Sequence, residues 1–112
     1  SRSPYCPQQF DIIRIQFNPQ AGREQAEIRP AFVLSPRRYN EIARLCVLCP
    51  ITSHVKGYPF EVVIPDGGRT VGVVLSDQIK SLDWSVRGAE FIEHRPEIAP
   101  QVTGKVKALL GL

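Results

Sequence analysis

The sequence predicts a small, mainly β protein (α+β), a strongly bent sheet or barrel with a short middle helix and a C-terminal helix. Three observations predict it. Apolar residues recur with period two in short runs. Turn residues break those runs at short intervals, with 8 Gly and 10 Pro in 112 residues. The period lengthens to that of a helix only near the end, where Val102, Val106, Leu109 and Leu110 fall on one face. The length fits a single domain over residues 1–112, with residues 1–9 as a flexible lead-in.

Each element has its own signal. In "FDIIRIQF" (10–17), Ile13, Ile15 and Phe17 share one face and Ile12, Arg14 and Gln16 the other, as in a half-buried strand. Residues 18–30 read as a long polar loop, of the kind that carries function more often than short loops do. "AFVLSP" (31–36) is a short apolar strand, and "PRRYNEIAR" (36–44) opens with proline as a short helix does. "LCVLCPI" (45–51) is continuously apolar, hence a buried strand. "PFEVVIP" (59–65) leads through Asp66-Gly67-Gly68, a strong hairpin signal, into "RTVGVVLS" (69–76). "DQIKSLDW" (77–84) and "AEFIEHR" (89–95) complete the strands. In the last helix, Pro100 suits the first turn and Gly111 the C-terminal cap. Gly104 weakens that helix by about 1 kcal/mol relative to alanine.

Composition narrows the function. A hydrophobic content of 43% with 22% charged residues excludes wholesale disorder. The net charge of +3 and pI near 9.0 are compatible with an RNA, DNA or acidic-peptide partner. No apolar run approaches the roughly 20 residues of a membrane span, and no secretory signal pattern is visible. With three cysteines, an odd number, the expectation is a cytoplasmic protein with free thiols and no membrane partner.

Cys46-x-x-Cys49 raises a zinc or redox reading, with His54, Cys6 or His94 as further ligands. A spacing of three within a strand, however, sends the two thiols to opposite faces, which favours buried structural cysteines. Ser53 and His54 are neighbours on an extended segment and point apart, so they do not make a nucleophile–base pair. His94, between Glu93 and Arg95, reads as a solvated strand-end residue, and Trp84 and Tyr58 as core or interface residues. Arg29, at the root of a strand after the long loop, reads either as a solvated strand-end cap or as a guanidinium fixed to hold a phosphate.

Taken together, "FNPQAGREQAEIRPAFVLSP" (17–36), "YN" (39–40), "PITSHVKGYPFEVVI" (50–64) and "GVVLSDQIKSLDW" (72–84) closely resemble the MazF/PemK toxins of bacterial toxin–antitoxin modules. The resemblance runs from about Phe10 to the C-terminus. It implies a homodimer of SH3-like β-barrels that cleaves single-stranded RNA sequence-specifically with no metal or cofactor, arresting growth, and an antitoxin with an acidic tail. It implies attack by the RNA's own 2′-hydroxyl, leaving a 2′,3′-cyclic phosphate (or 3′-phosphate) and a 5′-hydroxyl. The family's catalytic arginine and threonine fall on Arg29 and Thr52, and its acidic loop residue on Glu24. Arginine stays protonated and threonine is barely acidic, so the base must be sought elsewhere. Glu24 and His54 are the candidates, His54 because it lies two residues beyond Thr52 on an extended segment. Arg23, Lys56 and Lys80 would attract phosphates. Phe17 would offer a stacking face or a buried partner for Ile13 and Ile15, and Asn18, Gln25 and Gln78 would read base edges or serve the fold. The chain departs from the family in opening its first strand with Phe10-Asp11, where many relatives have Gly-Asp. A toxin of the same fold that poisons DNA gyrase without catalysis is the alternative, and fold alone does not decide between the two.

Overall fold

The computed structural model describes residues 5–18 and 27–112. Seven strands and two helices follow one another: β1 (Asp11–Gln16), β2 (Ile28–Val33), α1 (Arg37–Ala43), β3 (Leu45–Thr52), β4 (Glu61–Val63), β5 (Val73–Leu75), β6 (Lys80–Asp83), β7 (Glu90–His94) and α2 (Ala99–Leu110). A 3₁₀ turn, Pro96–Ile98, leads into α2 and carried no sequence signal beyond its proline.

All strand pairs are antiparallel, in the order β4-β5-β3-β2-β1-β7, with β6 also on β3. The bend comes from β3. Its first half pairs with β6, from Leu45↔Asp83 to Leu48↔Lys80, and its end pairs with β5 through Ile51↔Val74 and Thr52↔Val73. Pro50 falls in the gap between the two partners on that edge, where its missing N–H interrupts neither ladder. The expected barrel is not closed by backbone pairing: β4 and β7 end the path, and among the described residues no ladder joins them. Asp66-Gly67-Gly68 does not make a tight turn either. The β4–β5 hairpin pairs only as far as Val63↔Val73, with one further bond from Ile64 N to Gly72 O at 3.0 Å.

Alternation along β1, β2 and β3 divides their side chains between two cores. Ile13, Ile15, Phe17, Ala31, Val33, Cys46 and Leu48 pack with Cys6, Leu82 and Trp84. Ile12, Phe32, Cys49 and Ile51 pack beneath Ile98, Ala99 and Val102 at the start of α2. Cys46 and Cys49 therefore lie on opposite faces, as their spacing predicts. Burial pushes both thiols up to about 12, and they are neutral core residues. Among the described residues no three His, Cys, Asp or Glu side chains cluster as metal ligands.

The lead-in expected to be flexible is anchored from Tyr5 onward. Cys6 is buried, Pro7 O accepts from Asn40 Nδ2 at 2.8 Å, and Gln9 Nε2 donates to Leu34 O at 2.9 Å. Asn40, fully buried on α1, also accepts from the Ser35 hydroxyl at 2.6 Å, and its carbonyl accepts the Trp84 indole N–H at 2.9 Å. That network satisfies a polar side chain inside the core. His94 is exposed at the end of its strand, as expected, and its Nδ1 also lies 2.8 Å from Oδ1 of the buried Asp11, which accepts the Tyr5 hydroxyl and the Gln8 N–H as well.

Candidate active site

Two adjacent strands end together at the site. The β2–β3 register pairs Ala31 with Pro50, Phe32 with Cys49 and Val33 with Leu48. Extending it two residues sets Arg29 opposite Thr52, where antiparallel partners share a face with Cβ atoms about 5 Å apart. That face is the one that buries Ala31, Val33, Cys46 and Leu48 further in. The apolar stripe thus runs outward into a cation and a hydroxyl, both lining an open groove of about 340 Å³. His54, Lys56, Tyr58, Glu61, Leu75, Asp77 and Gln78 complete its wall.

Arg29 is aimed rather than free. Its guanidinium lies 5.5 Å from the centroid of the Phe17 ring and its Nη1 is 3.3 Å from Glu27 Oε2, leaving the side chain 29% exposed. The stacked ring limits the swing of the head, and the planar fork keeps donors for an anion in the groove. Arg29 thus stands at the strand end with its head at the open groove.

Thr52 is held by its neighbours. Its Oγ1 accepts the His54 N–H at 3.1 Å, which occupies one lone pair and leaves the hydroxyl proton to donate elsewhere. Gly72 packs against its carbonyl so closely that a Cβ there would lie 2.2 Å from Thr52 O, and its φ of +122° favours glycine as well. The segment beyond Thr52 is pinned by Glu61, whose carboxylate accepts the N–H groups of Lys56 (3.1 Å) and Gly57 (2.9 Å).

The structure thus brings together Arg29, Thr52, His54, Lys56 and Gln78 from the sequence candidates. Phe17 is 8% exposed and supports Arg29 from within the core instead of offering a stacking face. Asn18 is engaged with Glu27, its Nδ2 donating to Oε1 at 3.0 Å. Lys80 is exposed on β6, beside the first half of β3 and off the groove lining. Arg23, Glu24 and Gln25 lie outside the described residues. Sequence reasoning missed Glu27, Tyr58, Glu61 and Asp77. Glu27 was legible as the residue two before Arg29, but Tyr58 was read as a core or interface residue. It is not a core residue: it is 59% exposed.

A family model described as the PemK-like, MazF-like toxin of type II toxin–antitoxin systems matches residues 8–112. The chain belongs to that family. Among curated relatives, the endoribonuclease toxin MazF of Escherichia coli K12 is 42% identical over 113 aligned positions, covering 97% of this chain and 98% of that protein. Among solved structures, MazF of Deinococcus radiodurans superposes with a TM-score of 0.87 at 45% identity, covering 97% of this chain and 100% of that one. A MazE–MazF complex from the same organism matches with a TM-score of 0.90 at 45% identity, covering 97% and 99%. The antiparallel sheet with two helices is thus the MazF fold, and in this MazF-like toxin the Arg29–Thr52 groove sits at one end of it.

Proposed function

We propose that the groove cleaves single-stranded RNA, making the protein a sequence-specific, metal-independent endoribonuclease toxin that inhibits translation and growth. The observation that carries this reading is Arg29 and Thr52 at facing register positions on neighbouring strands, their side chains lining one groove. In the reaction the 2′-oxygen bonds to phosphorus while the P–O5′ bond breaks, giving a 2′,3′-cyclic phosphate and a 5′-hydroxyl. Negative charge grows on the non-bridging oxygens. Arg29 offers them a bidentate, permanently charged fork and Thr52 a hydroxyl donor, both fixed before the substrate arrives. The proton leaving the 2′-hydroxyl goes to a base, for which His54 in the groove is the described candidate and Glu24 the other. The 5′-oxygen takes a proton from an acid or from water.

Lys56 and the net positive charge favour the RNA backbone, so affinity falls as salt rises. The same charge suits an antitoxin with an acidic tail, and MazE–MazF complexes among the structural relatives support such a partner. A homodimer is the expected assembly, which light scattering tests against the 12.5 kDa of one chain.

The deciding experiment is cleavage of a mixed-sequence RNA pool in EDTA by wild type, Arg29→Ala and Thr52→Ala. Wild type cuts and leaves 5′-hydroxyl ends, and each variant loses roughly a hundred- to a thousandfold in rate, as removal of one transition-state donor does. Intact RNA with a folded wild type would overturn the reading and leave the gyrase-poisoning alternative. His54→Gln flattens the acid limb of the pH–rate profile if His54 is the base, and an unchanged profile removes it from that role.

A further inference from the structure

Tyr58 stands out in the groove because its carbonyl and the residues on either side of it are hydrogen-bonded while its ring is exposed. Its carbonyl accepts the Glu61 N–H at 3.1 Å. The Glu61 carboxylate holds the two preceding N–H groups, of Lys56 and Gly57. Lys105, on α2, donates to the carbonyl of Pro59, the next residue. Gly57 takes a φ of +82°, which turns the chain so that the tyrosine sits at the tip. A rigid main chain carrying a ring that is 59% exposed is an arrangement a core or turn role does not call for. The Lys56 ammonium lies 5.8 Å from the ring centroid, and Arg29, Thr52 and Gln78 line the same groove.

We propose that Tyr58 is the stacking platform for an unpaired nucleobase beside the reactive phosphate, an inference that rests on the groove being the nucleic-acid site. The open face of the ring takes the base, while Lys56 at the other face stays close enough to attract the neighbouring phosphate. A flat hydrophobic face is indifferent to base identity, so the platform supplies affinity and orientation, and polar groups such as Gln78 supply choice. Because the loop is already fastened, little conformational freedom is lost when the base docks.

Single-stranded oligodeoxynucleotides of mixed sequence test this, since they lack the 2′-hydroxyl and bind without reacting. Anisotropy compares a fluorescein-labelled normal strand with an equally charged abasic strand, for wild type, Tyr58→Leu, Tyr58→Phe and Tyr58→Trp. Tyr58→Leu is expected to lose about ten- to a hundredfold in affinity for the normal strand and little for the abasic one. Phe and Trp recover most of that loss, and in RNA cleavage the Leu loss appears in KM more than in kcat. Equal losses on both strands, or none, would overturn the proposal, and the Phe variant separates ring loss from misfolding. If wild type binds the strands but cuts no RNA, the cleavage reading falls and the binding comparison still decides Tyr58. If it binds neither strand, the platform proposal falls and the RNA assay alone decides the cleavage reading.

Discussion

Phe10 carries its backbone at φ +73°, a left-handed conformation that a residue with a Cβ adopts at a cost of roughly 1–2 kcal/mol. The surrounding bonds hold it there: Phe10 N donates to Val33 O at 2.8 Å and Arg95 N to Phe10 O at 3.0 Å. The ring offsets the strain by stacking on Phe32, with centroids 5.9 Å apart and planes 12° from parallel. This is the position where many relatives carry glycine, so the sequence marked the site as unusual but not the conformation behind it. Phe10→Gly and Phe10→Ala both lose the stack, yet only alanine keeps the strain. Urea unfolding should therefore find Phe10→Gly the more stable of the two by about 1 kcal/mol, the reverse of the ordinary order within a helix or strand. An alanine variant as stable as the glycine variant would contradict the strain.

Element by element, legibility followed the range of the information. β3 was legible because seven consecutive apolar residues and the Cys46–Cys49 spacing are local, and α2 because Pro100, Gly111 and the apolar stripe lie within one segment. That β3 divides one edge between β6 and β5 was not, since a single strand does not reveal how many partners it serves. The Arg29–Thr52 pair was readable from the family motifs, whereas Glu61 and Tyr58 acquired meaning only when the chain folded back. The weakness assigned to Gly104 is measurable through α2's role as the cover over Cys49. Cys49 is fully buried, and its thiol becomes reactive only when that cover opens. A Cβ at Gly104 meets nothing within 4 Å, so alanine enters without a clash and stabilises α2 by about 0.5–1 kcal/mol. Gly104→Ala should then slow labelling of native Cys49 by roughly two- to fivefold. Cys46, in the other core, should label at an unchanged rate, and mass spectrometry after pulse labelling separates the two. Equal slowing at both cysteines would mean that α2 opens only with the whole molecule.

At the scale of the whole molecule, the sheet that fails to close through its backbone is joined by side chains. Arg95, buried between the ends of the sheet, donates to Pro65 O beyond β4 at 3.0 Å and to Glu93 on β7 at 3.4 Å. It also reaches Glu97, before α2, at 2.6 Å. Arg69, in the β4–β5 loop, donates its N–H to Glu93 at 3.0 Å and its guanidinium to Ile92 O at 3.2 Å. These partners lie up to 30 residues apart, which is why charge patterning along the chain did not reveal the seam. Burial raises the Glu93 carboxyl, but the Arg69 N–H and the Arg95 charge outweigh it and hold it below its ordinary 4.5. The Arg95 hydrogen bond holds Glu97 below that value too. A carboxylate depressed on folding contributes stability that is present above the unfolded value and is lost as pH falls through the folded one. The seam should therefore loosen only at acid pH, below about 4.5. Glu93→Gln removes the charge while keeping the shape, and should cost about 1–3 kcal/mol at pH 7, where Arg95 loses a buried partner. As pH falls through the folded value the wild-type carboxyl itself takes up a proton, so the gap between the two proteins should narrow. Urea unfolding at a series of pH values from 7 downward measures it. A gap of constant size would show that Glu93 acts through shape alone and that the charge does not hold the ends of the sheet together.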